Sequence, residues 1–281
     1  AIRMFSPIAA LQDGEITITG TGSLKTRPMT MIEDALRQFG VQCNTNNGLL
    51  PLTIRGPLPG GDCEIDGSIS SQLLTGLLMA LPVAGIDSTV RVRDLKSRPY
   101  IDMTLQVLEK FGIKAGNDHY SKFMIPGNQK FRACTFEVES DWSGGAFLLV
   151  AGAIAGEVTV DGLRPDSRQS DKAILTALDR AGARMSVREK SITVYRSDLK
   201  AFEFDSVESP DLFPPLVALS ACCRGISGIK GVHRLVHKES NRSQALVEEF
   251  GRLGIKAEVS GDYLLITGGT IKGGEVSSHN D

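Results

Sequence analysis

Apolar positions recur along the chain in four stretches with helical spacing, and each stretch runs into a glycine. Met31, Ile32, Ala35, Leu36 and Phe39 share one face of a predicted helix that leads into Gly40-Val41. Ile101, Thr104, Leu105, Leu108 and Phe111 do the same before Gly112-Ile113. Ile174, Ala177, Leu178 and Ala181 precede Gly182-Ala183, and Leu246, Phe250 and Leu253 precede Gly254-Ile255. The period is close to 3.6 in each copy, and a glycine at the stop predicts a left-handed C-terminal cap. These four glycines are 72, 70 and 72 residues apart, so the chain is built on a repeat of about 70 residues.

The rest of each unit reads as strands. Strand-like endings follow each glycine: Leu52-Thr53-Ile54-Arg55, Phe123-Met124-Ile125, Ile192-Thr193-Val194-Tyr195 and Leu264-Leu265-Ile266-Thr267. Glu15–Thr19, Thr89–Arg93 and Glu157–Asp161 alternate with period two, and Ile229 and Val232 mark a weaker fourth copy. With a second helix, the unit reads as strand, helix, strand, helix, strand, strand in some circular order. Such a pattern predicts α/β layering rather than a solenoid of bare hairpins.

Composition narrows this picture. A chain of 281 residues with 41% hydrophobic content can bury two medium cores, and its length favours about two domains. A net charge of -2 and a pI near 6.2 provide no global field toward nucleic acid or an anionic membrane, so any anionic ligand must meet a local basic cluster. The apolar run Leu73–Ala84 is too short to span a bilayer. Five cysteines, an odd number without a C-x-x-C pair, fit reduced thiols in the cytoplasm. The four histidines show no metal-ligand spacing, and Gly20-Thr21-Gly22-Ser23 lacks the full spacing of a nucleotide loop; neither metal nor cofactor is expected. Asp141, Asp211 and Asp281 are each 70 apart, and Ala1 falls at the equivalent of Gln72. Flanking units are therefore expected on both sides of this stretch.

Two families of turn carry polar groups to helix starts, where backbone N–H groups and the macrodipole favour anions. The first comprises Asp66-Gly67-Ser68-Ile69-Ser70-Ser71-Gln72, Glu139-Ser140-Asp141-Trp142-Ser143-Gly144-Gly145 and Glu208-Ser209-Pro210-Asp211. Taken singly, Ser70, Asp141 and Asp211 also read as ordinary N-caps worth ~1 kcal/mol each. The second comprises Lys25-Thr26-Arg27-Pro28, Lys96-Ser97-Arg98-Pro99-Tyr100, Ser167-Arg168-Gln169 and Lys238-Glu239-Ser240-Asn241-Arg242. An arginine at a helix entry opposes the dipole, so an anion is expected to offset it; solvated surface charge is the plainer alternative. Arginine forks match carboxylate and phosphate, and lysine adds a point charge.

The ordered set Asp66–Thr75, Ser97-Arg98-Pro99-Tyr100-Ile101-Asp102, Pro210-Asp211, Lys238–Arg242 and Ser278-His279-Asn280-Asp281 resembles the 5-enolpyruvylshikimate-3-phosphate synthase family over essentially the whole chain. The resemblance implies a two-lobed inverted barrel of βαβαββ units, about four of six being present here. Residues 1–139 would belong to one lobe and 140–281 to the other, with substrates in the cleft between the lobes. It implies transfer of the enolpyruvyl group of phosphoenolpyruvate to the 5-hydroxyl of shikimate 3-phosphate, on the pathway to aromatic amino acids. Ser70, Ser71, Gln72, Ser97, Tyr100, Asp211 and Lys238 would hold shikimate 3-phosphate. Arg27, Gln72 and Arg242 would hold phosphoenolpyruvate, and Asp211 and Glu239 would act as base and acid. The implied partners are these two small molecules, without nucleic acid or membrane, for a monomeric cytoplasmic transferase.

Some residues depart from the family pattern. Arg234 stands where many members carry an uncharged residue and is left out of the expected site. Leu212-Phe213-Pro214-Pro215 and Gly144-Gly145 replace small or small polar residues. The family's N-terminal lysine-serine motif, and the arginine and lysine beyond Asp281, are absent, so this stretch by itself is expected to show negligible turnover. Three alternatives stand beside this one. A UDP-N-acetylglucosamine enolpyruvyl transferase would carry a loop cysteine, which Gly22–Arg27 lacks. An RNA 3'-phosphate cyclase would need a nucleophilic histidine in a matching motif. A non-catalytic repeat scaffold would lack the polar turns.

Overall fold

The computed structural model describes residues 1–235 and 241–279. The chain divides into two compact units, Ala1–Phe136 and Glu137–Asp281, each with its own apolar core.

In the first unit, α1 (Ile2–Ala9), β1 (Gly14–Ile18), α2 (Thr30–Gln38), β2 (Gln42–Asn46) and β3 (Leu49–Gly56) precede β4 (Asp62–Asp66), α3 (Gln72–Ala80), β5 (Ser88–Arg93), α4 (Arg98–Lys110), β6 (Gly116–Asp118) and β7 (Lys122–Ile125). Two sheets form, in the orders β1-β3-β2 and β4-β5-β7-β6. All neighbours are antiparallel except β4 and β5, which run parallel from Asp62↔Thr89 to Asp66↔Arg93.

The second unit follows the same plan. It contains α5 (Trp142–Ala155), β8 (Val158–Asp161), α6 (Ile174–Arg180), β9 (Arg184–Val187), β10 (Ser191–Tyr195), β11 (Glu203–Asp205), α7 (Phe213–Ala221), β12 (Ile226–Lys230), α8 (Arg242–Arg252), β13 (Lys256–Ser260) and β14 (Tyr263–Thr267). Its sheets are β8-β10-β9 and β11-β12-β14-β13, with β11 and β12 the parallel pair. The order βαβαββ thus appears complete twice, in β4 to β7 and in β11 to β14. No sheet closes on itself among the described residues.

The repeat rests on one local device. Gly40, Gly112, Gly182 and Gly254 have φ of 77°, 80°, 81° and 82°, a region only glycine enters without a Cβ penalty. In each copy the glycine N–H reaches back three residues and the next N–H five, as in Gly40 to Arg37 (2.9 Å) and Val41 to Leu36 (3.1 Å). That is the Schellman closure, which satisfies carbonyls the helix leaves open.

Helix α3 packs on α1 at backbone distance. A Cβ on Gly76 would lie 2.3 Å from the Met4 carbonyl oxygen, so glycine is what lets the helices meet. Leu73, Leu74, Leu77 and Leu78 bury the remaining faces of α3. In the second unit α5 carries no charged residue and buries Trp142, the chain's one tryptophan, completely. No helix among the described residues is long and apolar enough to cross a membrane.

Candidate active site

Parallel pairing fixes where the polar turns go. Adjacent parallel strands end on the same side, so the turn after β4 lies beside the turn after β5, and two helices start next to each other. The Gly67 N–H donates to the Arg93 carbonyl (2.8 Å), and the Lys96 N–H donates to the Gly67 carbonyl (3.2 Å), stitching the two turns together. A Cβ on Gly67 would stand 2.8 Å from Leu95 Cα. At the end of β4, one residue before Gly67, Asp66 Oδ1 accepts the Ser68 N–H (2.8 Å); hydrogen bonds from the Ser68 side chain and backbone hold this carboxyl below its ordinary range.

Five expected residues lie on the two helix starts that follow these turns. Ser70 Oγ accepts the Gln72 N–H at 3.2 Å, and Ser71, buried, precedes α3 as its N-cap without a side-chain cap bond. The capping role expected of Ser70 thus becomes a two-residue turn ahead of the helix. Gln72 is the exposed first residue of α3. Ser97, also buried, caps α4 from a left-handed conformation, φ 56° and ψ 42°. A non-glycine residue held there signals a locally over-determined turn. Tyr100 lies in the first turn of α4, its N–H on the Ser97 carbonyl (3.2 Å). Thr104 Oγ1 donates to the Tyr100 carbonyl (2.8 Å) and sits 3.4 Å from Thr75 Oγ1, joining α4 to α3 one turn below. Arg27 lies on the loop between the 3-10 turn Gly22–Thr26 and α2. Its neighbour Pro28 presents its carbonyl to Arg3 of α1 (3.3 Å), the helix that packs on α3.

The second unit repeats this construction with different side chains. The Ser206 N–H donates to the Lys230 carbonyl (3.0 Å), and the Val207 N–H donates to Asp205 Oδ1 (3.0 Å), matching Gly67–Arg93 and Ser68–Asp66. Asp211 falls in the 3-10 turn Pro210–Leu212 that leads into α7, and is not a helix N-cap. Arg242 is the first residue of α8, and its Nη1 lies 2.8 Å from Asp211 Oδ1, with side-chain exposures of 12% and 40%. The anion expected to offset an arginine at a helix entry is therefore, for Arg242, a neighbouring carboxylate of the same unit. Arg98 has its guanidinium 5.3 Å from the centre of the Tyr120 ring, and Arg168 is exposed ahead of the 3-10 turn that enters α6.

Arg234, left out of the expected site on sequence grounds, lies in the same unit as Asp211 and Arg242. It ends the 3-10 turn Val232–Arg234. Burial pushes its guanidinium below the ordinary value, against the pull of Glu208 and Asp211. Asp262, at the β13–β14 tip, holds this turn: Oδ1 accepts from the His233 N–H (3.1 Å) and lies 2.7 Å from His233 Nδ1. Lys238 and Glu239 lie outside the described residues.

Asp211 and Arg242 line a pocket of about 410 Å³, together with Ser143, Phe147, Leu246 and His279. Its α5 wall is set by Asp141, a true N-cap that accepts the N–H groups of Ser143 (3.1 Å) and Gly144 (2.9 Å). Gln169 bridges the same turn, donating to the Ser140 carbonyl and accepting the Trp142 N–H, each at 2.9 Å. The Ser143 hydroxyl hydrogen-bonds the buried Asp171 carboxylate. Among the described residues, Glu248, Glu249 and His279 have potential ligand atoms within 4.8 Å of one another. Arg252 lies 2.7 Å from Glu248 and 3.2 Å from Glu249, so a guanidinium already supplies the positive charge a metal would bring.

Repeated βαβαββ units with helix-start turns are the architecture of the enolpyruvyl transferases. An enolpyruvyl transferase from Streptomyces tendae matches with a TM-score of 0.70 over 93% of this chain and 62% of that one, at 19% identity, a likeness of fold alone. The family model for EPSP synthase (3-phosphoshikimate 1-carboxyvinyltransferase) matches residues 1–281, and the chain belongs to that family. The 3-phosphoshikimate 1-carboxyvinyltransferase of Methanosarcina acetivorans is 39% identical over 290 residues, covering 100% of this chain and 67% of the relative. That of Clostridium novyi is 36% identical over 282 residues, covering 100% and 65%. The EPSP synthase of Acinetobacter baumannii superposes with a TM-score of 0.80 at 26% identity, covering 99% of this chain and 67% of that structure. The chain spans about two thirds of the length of the curated relatives it matches.

Proposed function

We propose that this chain supplies substrate-binding and catalytic groups for transfer of the enolpyruvyl group of phosphoenolpyruvate to the 5-hydroxyl of shikimate 3-phosphate, with release of phosphate. The observation that carries this reading is the pairing of two helix starts after β4 and β5. It gathers Ser70, Ser71 and Gln72 with Ser97 and Tyr100, and a phosphate monoester suits hydroxyls and N–H groups at a helix start. The same reading assigns residues 1–139 and 140–281 to the family's two lobes.

In the second unit, Asp211 takes the proton of the attacking hydroxyl, with Lys238 on the shikimate hydroxyls. Arg27, Gln72 and Arg242 hold phosphoenolpyruvate, and Glu239 delivers a proton to its methylene carbon. The hydroxyl oxygen adds to C2 as C3 gains the proton. Loss of phosphate and of one C3 proton then restores the double bond, and cationic side chains stabilise the departing charge. Asp211 Oδ1 lies 2.8 Å from Arg242 Nη1, which sets the proposed base beside a proposed phosphoenolpyruvate ligand. Buried thiols at Cys43, Cys63 and Cys223 fit a reducing cytoplasm, and a monomer suffices for this chemistry.

Steady-state kinetics of the protein carrying this chain test the assignment. Ser97→Ala is expected to raise KM for shikimate 3-phosphate by roughly tenfold with little change for phosphoenolpyruvate, the worth of one charge-assisted hydrogen bond. Arg242→Ala is expected to do the reverse. Variants that both leave the two KM values at parental levels would overturn the assignment.

A further inference from the structure

A carboxylate that the reaction does not use stands beside this pocket. Glu249 follows Arg242 by seven residues on α8, so both sit on one helical face, with Leu246 between them along the pocket wall. The residue is buried, 9% exposed, in the C-terminal half of its helix. A buried negative charge is costly, and the negative end of the helix dipole adds to the cost, so packing alone would favour an apolar residue here. What the carboxylate holds offsets that cost. Oε2 accepts the Ser277 N–H at 2.8 Å, Oε1 lies 2.8 Å from His279 Nε2, and Arg252 is 3.2 Å away. The segment it holds, residues 271–279, has no helix or strand and is largely exposed, yet Ser277, Ser278 and His279 form one side of the pocket. The Lys272 N–H, on the Leu253 carbonyl (2.8 Å), pins the start of the same segment to the end of α8.

We propose that Glu249 is a positioning residue: it clamps Ser277 and His279 to α8, so that residues 277–279 face the anion held by Arg242 as a fixed wall. This rests on the reading of Arg242 as a phosphoenolpyruvate ligand. Glu249 itself touches no reacting atom. Its lowered carboxyl pKa, caused first by the Ser277 N–H, agrees with a charge kept for hydrogen bonding.

Two readouts on the protein carrying this chain separate the clamp from the functional reading. Amide hydrogen exchange reports the clamp alone: in Glu249→Ala the Ser277 amide is expected to lose its protection while α8 amides keep theirs. Phosphoenolpyruvate titration reports the consequence: Glu249→Ala is expected to weaken half-saturation about tenfold, with shikimate 3-phosphate unaffected and Glu249→Gln in between. Ser277→Pro removes the same donor from the other partner and decides the matter should Glu249→Ala disturb α8. Clamp and donor variants combined are expected to cost no more than either alone. Unchanged Ser277 exchange in Glu249→Ala, or fully additive effects of the two substitutions on phosphoenolpyruvate, would overturn the proposal. Lost protection in a parent that binds no phosphoenolpyruvate would uphold the clamp and overturn the functional reading instead.

Discussion

Gly76→Ala tests whether the α1–α3 crossing fixes the candidate site. The added Cβ would lie 2.3 Å from the Met4 carbonyl oxygen, 3.0 Å from its carbonyl carbon and 3.1 Å from its Cα. All three are backbone atoms that no rotamer change can move, and a carbon–oxygen contact needs about 1 Å more. Overpacking of this kind costs about 1–3 kcal/mol, while alanine recovers roughly 0.5–1 kcal/mol of helix propensity. A net loss of about 1–2 kcal/mol follows, lowering a urea midpoint by roughly 0.5–1 M for a typical m-value. The shift would also move Arg3, whose Nη2 holds the Pro28 carbonyl at 3.3 Å, and with it the loop bearing Arg27. Gly251→Ala on the exposed side of α8, where a Cβ meets nothing within 4 Å, is the control and is expected to gain a few tenths of a kcal/mol. Urea unfolding followed by circular dichroism reads both signs. A Gly76→Ala protein as stable as its parent would show that backbone contact at this crossing is not what sets the packing.

Three further outcomes are expected. Burial pushes the thiols of Cys43, Cys63 and Cys223 up to about 12, whereas Cys134 is exposed, so alkylation of the native protein near pH 8 followed by peptide mass spectrometry should mark Cys134 first; early labelling of Cys43 or Cys63 would contradict the packing. Asp141→Ala loses a cap that accepts two N–H groups and should cost about 1 kcal/mol. Fluorescence of the adjacent, fully buried Trp142 follows that unfolding, and an unchanged midpoint would count against the cap. The Glu249 carboxyl is held below its ordinary value, so its clamp is fully present above the usual carboxylate range and is lost as pH falls through the lowered value. Ser277 exchange, corrected for intrinsic rate, should therefore accelerate only in acid, and a loss of protection near neutrality would refute the sign.

The sequence exposed those features whose cause is local. Gly40, Gly112, Gly182 and Gly254 were legible because a Schellman closure demands a positive φ, and helical spacing in front of each marked the repeat. Ser97 was legible as part of a motif, but its left-handed turn was not, because nothing in its neighbours requires one. The pairing of the β4 and β5 turns depends on a parallel register across 27 residues, as in Asp62↔Thr89, which no local pattern encodes. Glu249 escaped notice because its partners lie 28 and 30 residues away, and only its position seven residues after Arg242 hinted at a shared face. Arg234 was set aside by comparison with a family pattern, and the turn that carries it is held by Asp262, 29 residues from His233, a contact no local pattern encodes.

The paired helix starts of the first unit carry the proposed function most directly, and phosphorus NMR can interrogate them alone. Titrating this chain into shikimate 3-phosphate should shift the phosphate resonance to saturation, and replacing Ser71 and Ser97 together by alanine should abolish the shift while leaving the circular dichroism spectrum intact. A resonance that does not move, or one that moves equally with the doubly substituted chain, would contradict the assignment of this junction as the phosphate site.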